Sequence, residues 1–190
     1  MSEQHGVDVG ETVDKLLDAA EDAMRQRGYH AVSFRDLADA LGIKSASVHY
    51  YFPQKEDLGV ALVKRYGDRF FTALEAEAEK ARTPEDRIRA FCKVYRRALT
   101  DADQICLCGM LGAESCGLPA EVSDAVAEFL KANIDWVAKS LSGKLTSQLR
   151  QQRAAHIVAT LQGAMILSSS LKKHKIFDNA VSSLREGGAG

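Results

Sequence analysis

Between Ser45 and Tyr51 this 190-residue chain sets hydroxyls, an imidazole and phenols along one short stretch. If the stretch is a helix that buries Val48 and Phe52, then Ser47, His49 and Tyr50 are left facing out. Such a row fits a DNA major groove, whose edges offer acceptors, donors and thymine methyls. Lys44 and Lys55 flank it and would meet phosphates, fixing register without reading sequence. A second group of chemically able side chains, Cys106, Cys108 and Cys116, is crowded into one segment. Near a helix start a thiolate is favoured by exposed amides, which makes Cys106 the candidate reactive thiol, with Asp101 and Asp103 acting against it. If the segment is helical throughout, Cys106 and Cys116 lie about 15 Å apart along its axis, so a bond between them requires unwinding. Unpaired cysteines also serve as small buried hydrophobes. Cysteines two apart point to opposite helix faces, no paired Cys-x-x-Cys is present, and His30, His156 and His174 are scattered. No metal and no cofactor are therefore expected.

The elements that must position these groups read as helices. Ser33 precedes an apolar stripe with Asp36 three residues on, the pattern of a capped helix start. Phe34, Leu37, Ala38 and Leu41 form one face, and Gly42 supplies the positive backbone angle for a tight turn. Ser45 is placed to cap the next helix, and Pro53 ends it. Upstream, Val13, Leu16, Leu17, Ala20 and Met24 share a face over Glu11 to Arg27, closed by Gly28. Downstream, a long helix is expected from Gln54 to about Ala81. A second begins at Thr83-Pro84 with Asp86 and runs to about Thr100, and a short one spans Asp103 to about Ser115. Leu118-Pro119 opens another, broken at Gly143, whose Asn133 is the polar exception on a buried face and is expected to hydrogen-bond at the core edge. Ser147 to Leu171 and Lys175 to Leu184 complete the series.

Three prolines and no alternating apolar runs argue for an all-α chain. The net charge of −1 means that any basic surface is local. Even around the reading stretch, Arg35, Lys44 and Lys55 are countered by Asp36, Asp39, Glu56 and Asp57, which weakens nonspecific binding to nucleic acid. No apolar run approaches the roughly 20 residues that span a bilayer, and the start lacks the parts of a signal peptide, so a cytoplasmic protein with reduced cysteines and no membrane partner is expected. Phosphate-cradling glycine loops, nucleophile elbows and His-Glu metal motifs are missing, so no enzymatic activity is expected.

From about Glu11 to Leu58 the chain resembles the tetracycline-repressor (TetR) family of bacterial transcription regulators. The likeness is densest in Phe34-Arg-Asp-Leu-Ala, Leu41-Gly-Ile, Val48-His-Tyr-Tyr-Phe and Lys55-Glu-Asp-Leu. The resemblance implies about nine helices: a three-helix helix-turn-helix DNA-binding domain over residues 11–54 and a helical ligand-binding and dimerisation domain over 55–186. An arm of residues 1–10 and a tail of 187–190 would be disordered. Roles implied by position are base contact for Arg35, Ser45, Ala46, Ser47 and His49, and phosphate contact for Ser33, Tyr50, Tyr51 and Lys55. Ala46 is smaller than the residue many members carry there. The implied partners are a double-stranded palindromic operator, a small-molecule inducer, and a second copy held through the last two helices. An inducer cavity among helices four to seven would draw on Phe70, Phe91, Tyr95, Met110, Phe129, Asn133 and Trp136, residues that a plain core also accounts for. The Cys106–Cys116 segment is similar to one in those members that sense electrophiles or oxidants through cysteine.

Overall fold

The computed structural model describes residues 9–102, 104–141 and 145–186. Among them are nine helices: α1 Val9–Arg27, α2 Phe34–Leu41, α3 Ser45–Tyr51, α4 Lys55–Ala78, α5 Pro84–Ala102, α6 Leu107–Ala113, α7 Ala120–Ser140, α8 Ser147–Ser170 and α9 Lys175–Glu186. Most of the expected arm, the tail 187–190, Asp103 and Gly143 lie outside the described residues. Val9 and Gly10, expected in the arm, are already helical.

The head, α1 to α3, forms as its sequence dictates. Ser33 and Asp36 make a reciprocal capping box, with Ser33 N donating to Asp36 Oδ2 (2.8 Å) and Asp36 N donating to Ser33 Oγ (3.2 Å). Gly42 closes α2 at φ 65°, and its amide returns to the carbonyls of Ala38 and Asp39. Leu37, Val48 and Phe52 then bury against Leu16, Leu17, Ala20 and Met24 of α1 in one continuous core. Salt bridges lace α1 to α4, with Arg65 reaching Asp14 and Asp18 and Arg69 reaching Glu21.

The body is built from long helices packed on one another: α4 lies against α5 and α7, α7 against α8, and α8 against α9. The start of α5 is capped as expected, since Thr83 Oγ1 accepts from Asp86 N and Asp86 returns to the Thr83 and Arg82 amides. Three expectations are corrected. Ser45 is the first residue inside α3 and makes no cap, Lys44 holding the N-cap position without a side-chain bond. The α6 helix begins at Leu107, not Asp103, and ends at Ala113, so Cys106 and Cys116 flank the helix rather than share it. Asn133 sits in the middle of the core and not at its edge, fully buried between Tyr95 and the Phe129 carbonyl. On α8 the small residues Ala154, Ala164 and Ser168 point into the chain's own core, while Leu149, Ile166 and Leu167, with Leu171 just past its end, are large apolar side chains left outside.

Candidate nucleic-acid interface

The short helix α3 lies over α2 with one side chain fixed in the core, Val48, and the next anchor, Phe52, just past its end. This register turns Ala46, His49 and Tyr50 to solvent and leaves Ser45, Ser47 and Tyr51 half-covered. Tyr50 is 78% exposed, unusual for a large aromatic with core available a few residues away. Its ring meets Tyr51 edge-on at 5.1 Å, and the His49 ring meets Phe34 edge-on at 4.8 Å, so both polar tips are aimed by packing at their bases. Arg35 projects from α2 with only a loose 3.9 Å approach to Asp39. Lys44 is exposed at the start of α3. Ser33 spends its hydroxyl on Asp36, and Lys55 is drawn onto the face of Tyr29, its Nζ 4.3 Å from the ring centroid. Partial burial lowers the Lys55 ammonium from its ordinary value, with Glu56, Glu114 and Asp36 pulling the other way.

What holds this head to the body was not readable as a motif. Glu114, just past α6, accepts from the Tyr29 amide (2.9 Å), and His30 Nε2 pairs with the Gly117 carbonyl (2.9 Å). The Arg25 guanidinium donates to the carbonyls of Ile105 (3.0 Å), Ala98 (3.3 Å) and Gln104 (3.3 Å). The turn after α1 is thereby gripped by the segments on either side of α6. The partners of Arg25 lie too far along the chain for periodicity to reveal.

Inside the same segment Cys106 and Cys108 are buried and Cys116 is exposed. With Cys106 extended at ψ 132° ahead of the helix, its side chain swings round to meet Cys108, and the two do not point to opposite faces as expected. Burial pushes the Cys106 thiol up, but hydrogen bonds from the Cys108 thiol, the Tyr66 hydroxyl, the Gly109 amide and Gln162 outweigh it and bring it down to about 6. The partners pay in the opposite direction: burial and the neighbouring Cys106 hold Tyr66 and Cys108 well above their usual ranges. Tyr66 and Gln162 were not among the sequence candidates.

Residues 16–62 match the family model described as bacterial regulatory proteins, tetR family. The chain is similar to the tetR family. Among curated relatives, the transcriptional regulator AcuR of Cereibacter sphaeroides is 28% identical over 120 residues, 61% of this chain and 54% of that protein. The match thus spans just over half of that relative's length. The HTH-type transcriptional repressor NemR of Escherichia coli K12 is 28% identical over 166 residues, 83% of this chain and 78% of NemR. A TetR transcriptional regulator from Legionella pneumophila shares the fold, with a TM-score of 0.87 at 24% identity over 97% of this chain and 99% of that one.

In the body the aromatic candidates form one cluster. Phe70 meets Phe91, Tyr95 and Phe129 edge-on, and Phe91 stacks on Trp136 at 5.6 Å. Their polar handles are engaged: Tyr95 donates to Asn133 Oδ1 (3.2 Å) and accepts from Gln162 Nε2 (3.2 Å), and Trp136 Nε1 donates to Glu75 Oε1 (2.7 Å). Met110 is half-buried on α6. A cavity of about 280 Å³ lies elsewhere, between Arg25 and Gln26 of α1, Gln104 and Ile105 of the loop, and Ile166, Ser169 and Ser170 of α8. None of the inducer candidates lines it. Among the described residues no helix is long and apolar enough to cross a membrane, and no group of three or more His, Cys, Asp or Glu is placed to hold a metal.

Proposed function

We propose that this protein is a sequence-specific DNA-binding regulator of the tetR kind, a homodimeric repressor that leaves a palindromic operator when an effector binds its body. The observation that carries the reading is the α3 surface: Ala46, His49 and Tyr50 stand clear of the rest of the chain, with Arg35 and Lys44 beside them. A row of donors and acceptors held rigidly by Val48 and Phe52 suits base edges, and the cations beside it suit phosphates. Two such rows about 34–36 Å apart would engage successive major grooves on one face of a duplex. The exposed apolar side chains of Ile166 and Leu167 on α8, and of Leu171 just past its end, support a second copy as partner through α8 and α9. Effector and operator then oppose each other through the grip on the α1–α2 turn, because whatever shifts α6 shifts Glu114 and Gly117. Titration of the purified protein onto duplex from its own upstream region tests this: saturable binding to a palindrome, weakened by a cellular small molecule, is expected. Indifference to every palindrome near its gene defeats it.

A second reading is favoured by one specific observation. Cys106 is a buried sulfur supplied with four hydrogen-bond donors, an arrangement that stabilises a thiolate and that simple core filling does not require. In that reading the signal is chemistry at Cys106 by an electrophile or oxidant, not reversible occupancy. Cys106→Ser would keep operator binding and lose release by electrophiles; unchanged release removes the thiol from the account.

A further inference from the structure

The thiol cluster contains more than one sulfur, and its second member has a chemical use. Cys106 is 1% exposed and Cys108 is fully buried, and the thiol of Cys108 is in hydrogen-bond contact with the sulfur of Cys106. Leu107 between them is helical, which sets the Cα atoms of Cys106 and Cys108 about 5.4 Å apart by helix geometry. That lies within the roughly 4.4–6.8 Å over which a disulfide closes. Tyr66, the Gly109 amide and Gln162 supply the remaining contacts to Cys106, and Gln162 is itself tied to Tyr95 at 3.2 Å. The 280 Å³ cavity borders this segment, with Ile105, the residue before Cys106, and Ile166, one turn beyond Gln162, in its wall; it has room for hydrogen peroxide or a small organic hydroperoxide, and neither cysteine lines it.

We propose that Cys106 and Cys108 form a two-thiol switch that a hydroperoxide closes to a Cys106–Cys108 disulfide, Cys106 being the attacking sulfur and Cys108 the resolving one. The proposal rests on the thiol reading given above and specifies its chemistry. In the first step the Cys106 thiolate attacks the terminal peroxide oxygen. The O–O bond breaks, Cys106 becomes a sulfenic acid, and the departing alkoxide takes a proton to leave as the alcohol, or as water from hydrogen peroxide. In the second step Cys108 gives up its proton and its sulfur attacks the sulfenic sulfur. The S–S bond forms, the S–O bond breaks, and hydroxide leaves with that proton as water. The sum is two thiols and one hydroperoxide giving one disulfide, one alcohol and one water. Closure takes the Cys106 sulfur away from Tyr66 and Gln162 and leaves those buried donors without their partner, a cost relieved only by movement of the α6 start. Seven residues further on, just past the end of the same short helix, Glu114 holds the Tyr29 amide of the head.

The test uses the full-length wild-type protein treated with hydrogen peroxide, digested without reduction and mapped by mass spectrometry. A peptide holding Cys106 and Cys108 that has lost two hydrogens and regains them with a reductant is expected. The Cys108→Ser variant should then accumulate Cys106 sulfenic acid, trapped by a 1,3-dione, at least about tenfold above wild type. Three results overturn the resolving role. They are a sulfenic acid in wild type as persistent as in Cys108→Ser, a disulfide from Cys106 to Cys116, and a bond to a second chain. In each of these Cys106 still reacts and the thiol reading survives. No modification of Cys106 at all, with operator binding intact, removes both the switch and the thiol reading.

Discussion

Two glycines share a left-handed backbone and differ in what stands over them, which makes a paired measurement of how tightly the body grips the head. Gly42, at φ 65°, has nothing within 4 Å of the position a Cβ would take. Gly42→Ala therefore carries only the conformational cost of a left-handed alanine, about 1–2 kcal/mol. Gly28, at φ 83°, would place its Cβ 1.9 Å from Glu114 Oε1. Gly28→Ala carries the same backbone cost and must also expel the Glu114 carboxylate, which breaks its bond with the Tyr29 amide, a loss of about 1.5–3 kcal/mol for a charged acceptor. The expected destabilisation is about 2.5–5 kcal/mol, clearly above that of Gly42→Ala. Urea unfolding followed by circular dichroism reads both. Adding Glu114→Ala to Gly28→Ala should cost little further, because the bond is already lost, whereas Glu114→Ala alone should cost about 1.5–3 kcal/mol. Equal destabilisation by the two glycine variants, or full additivity of Gly28→Ala with Glu114→Ala, would refute the grip between Glu114 and the α1–α2 turn.

Other outcomes follow from the same contacts. Tyr95→Phe removes a hydroxyl that serves both Asn133 and Gln162 in the core, and should lower stability by about 1–3 kcal/mol without loss of helix content, measured by denaturant titration. Cys106, lowered to about 6 in the folded chain, binds fewer protons there than when unfolded between that value and its ordinary one near 9. Its contribution to stability is therefore full above pH 9, declines as pH falls, and is gone below pH 6. The difference in unfolding free energy between wild type and Cys106→Ala should grow from pH 6 to pH 9; a flat difference contradicts the lowered value. Leu167→Glu, placed where 53% of an apolar side chain is exposed on α8, should shift sedimentation toward the monomer with the fold retained, and an unchanged dimer would remove α8 from the interface.

The head was legible because its signals are local. A capping box, a glycine turn and a proline stop each act within a few residues, so the bounds of α2 and the end of α3 follow from Ser33, Asp36, Gly42 and Pro53, whereas the start of α3 carries no side-chain cap to mark it. Of the expected outward set on α3, His49 and Tyr50 are exposed as Val48 and Phe52 dictate, while Ser47 is half-covered and Ala46 is exposed in its place. The α6 region was misread because its determinants are distant: the carbonyls of Gln104 and Ile105 are held by Arg25 of α1, so the chain stays extended there and the helix waits until Leu107. Once Cys106 leaves the helix, the expectation that it faces away from Cys108 fails as well. Asn133 was correctly read as hydrogen-bonded and wrongly placed, since its partner Tyr95 belongs to another helix and a stripe of spacing cannot tell the centre of a core from its edge.

The claim on which the rest depends is that α3 presents its outer side to a duplex. Fluorescence anisotropy of a labelled palindrome from the upstream region, titrated with wild type and with the His49→Ala, Tyr50→Ala double variant, tests it most directly. Both side chains lie outside the core, so the variant should keep its unfolding midpoint and lose at least about tenfold in affinity for that palindrome. Undiminished affinity in a variant that is still folded would show that the duplex is read by some other surface.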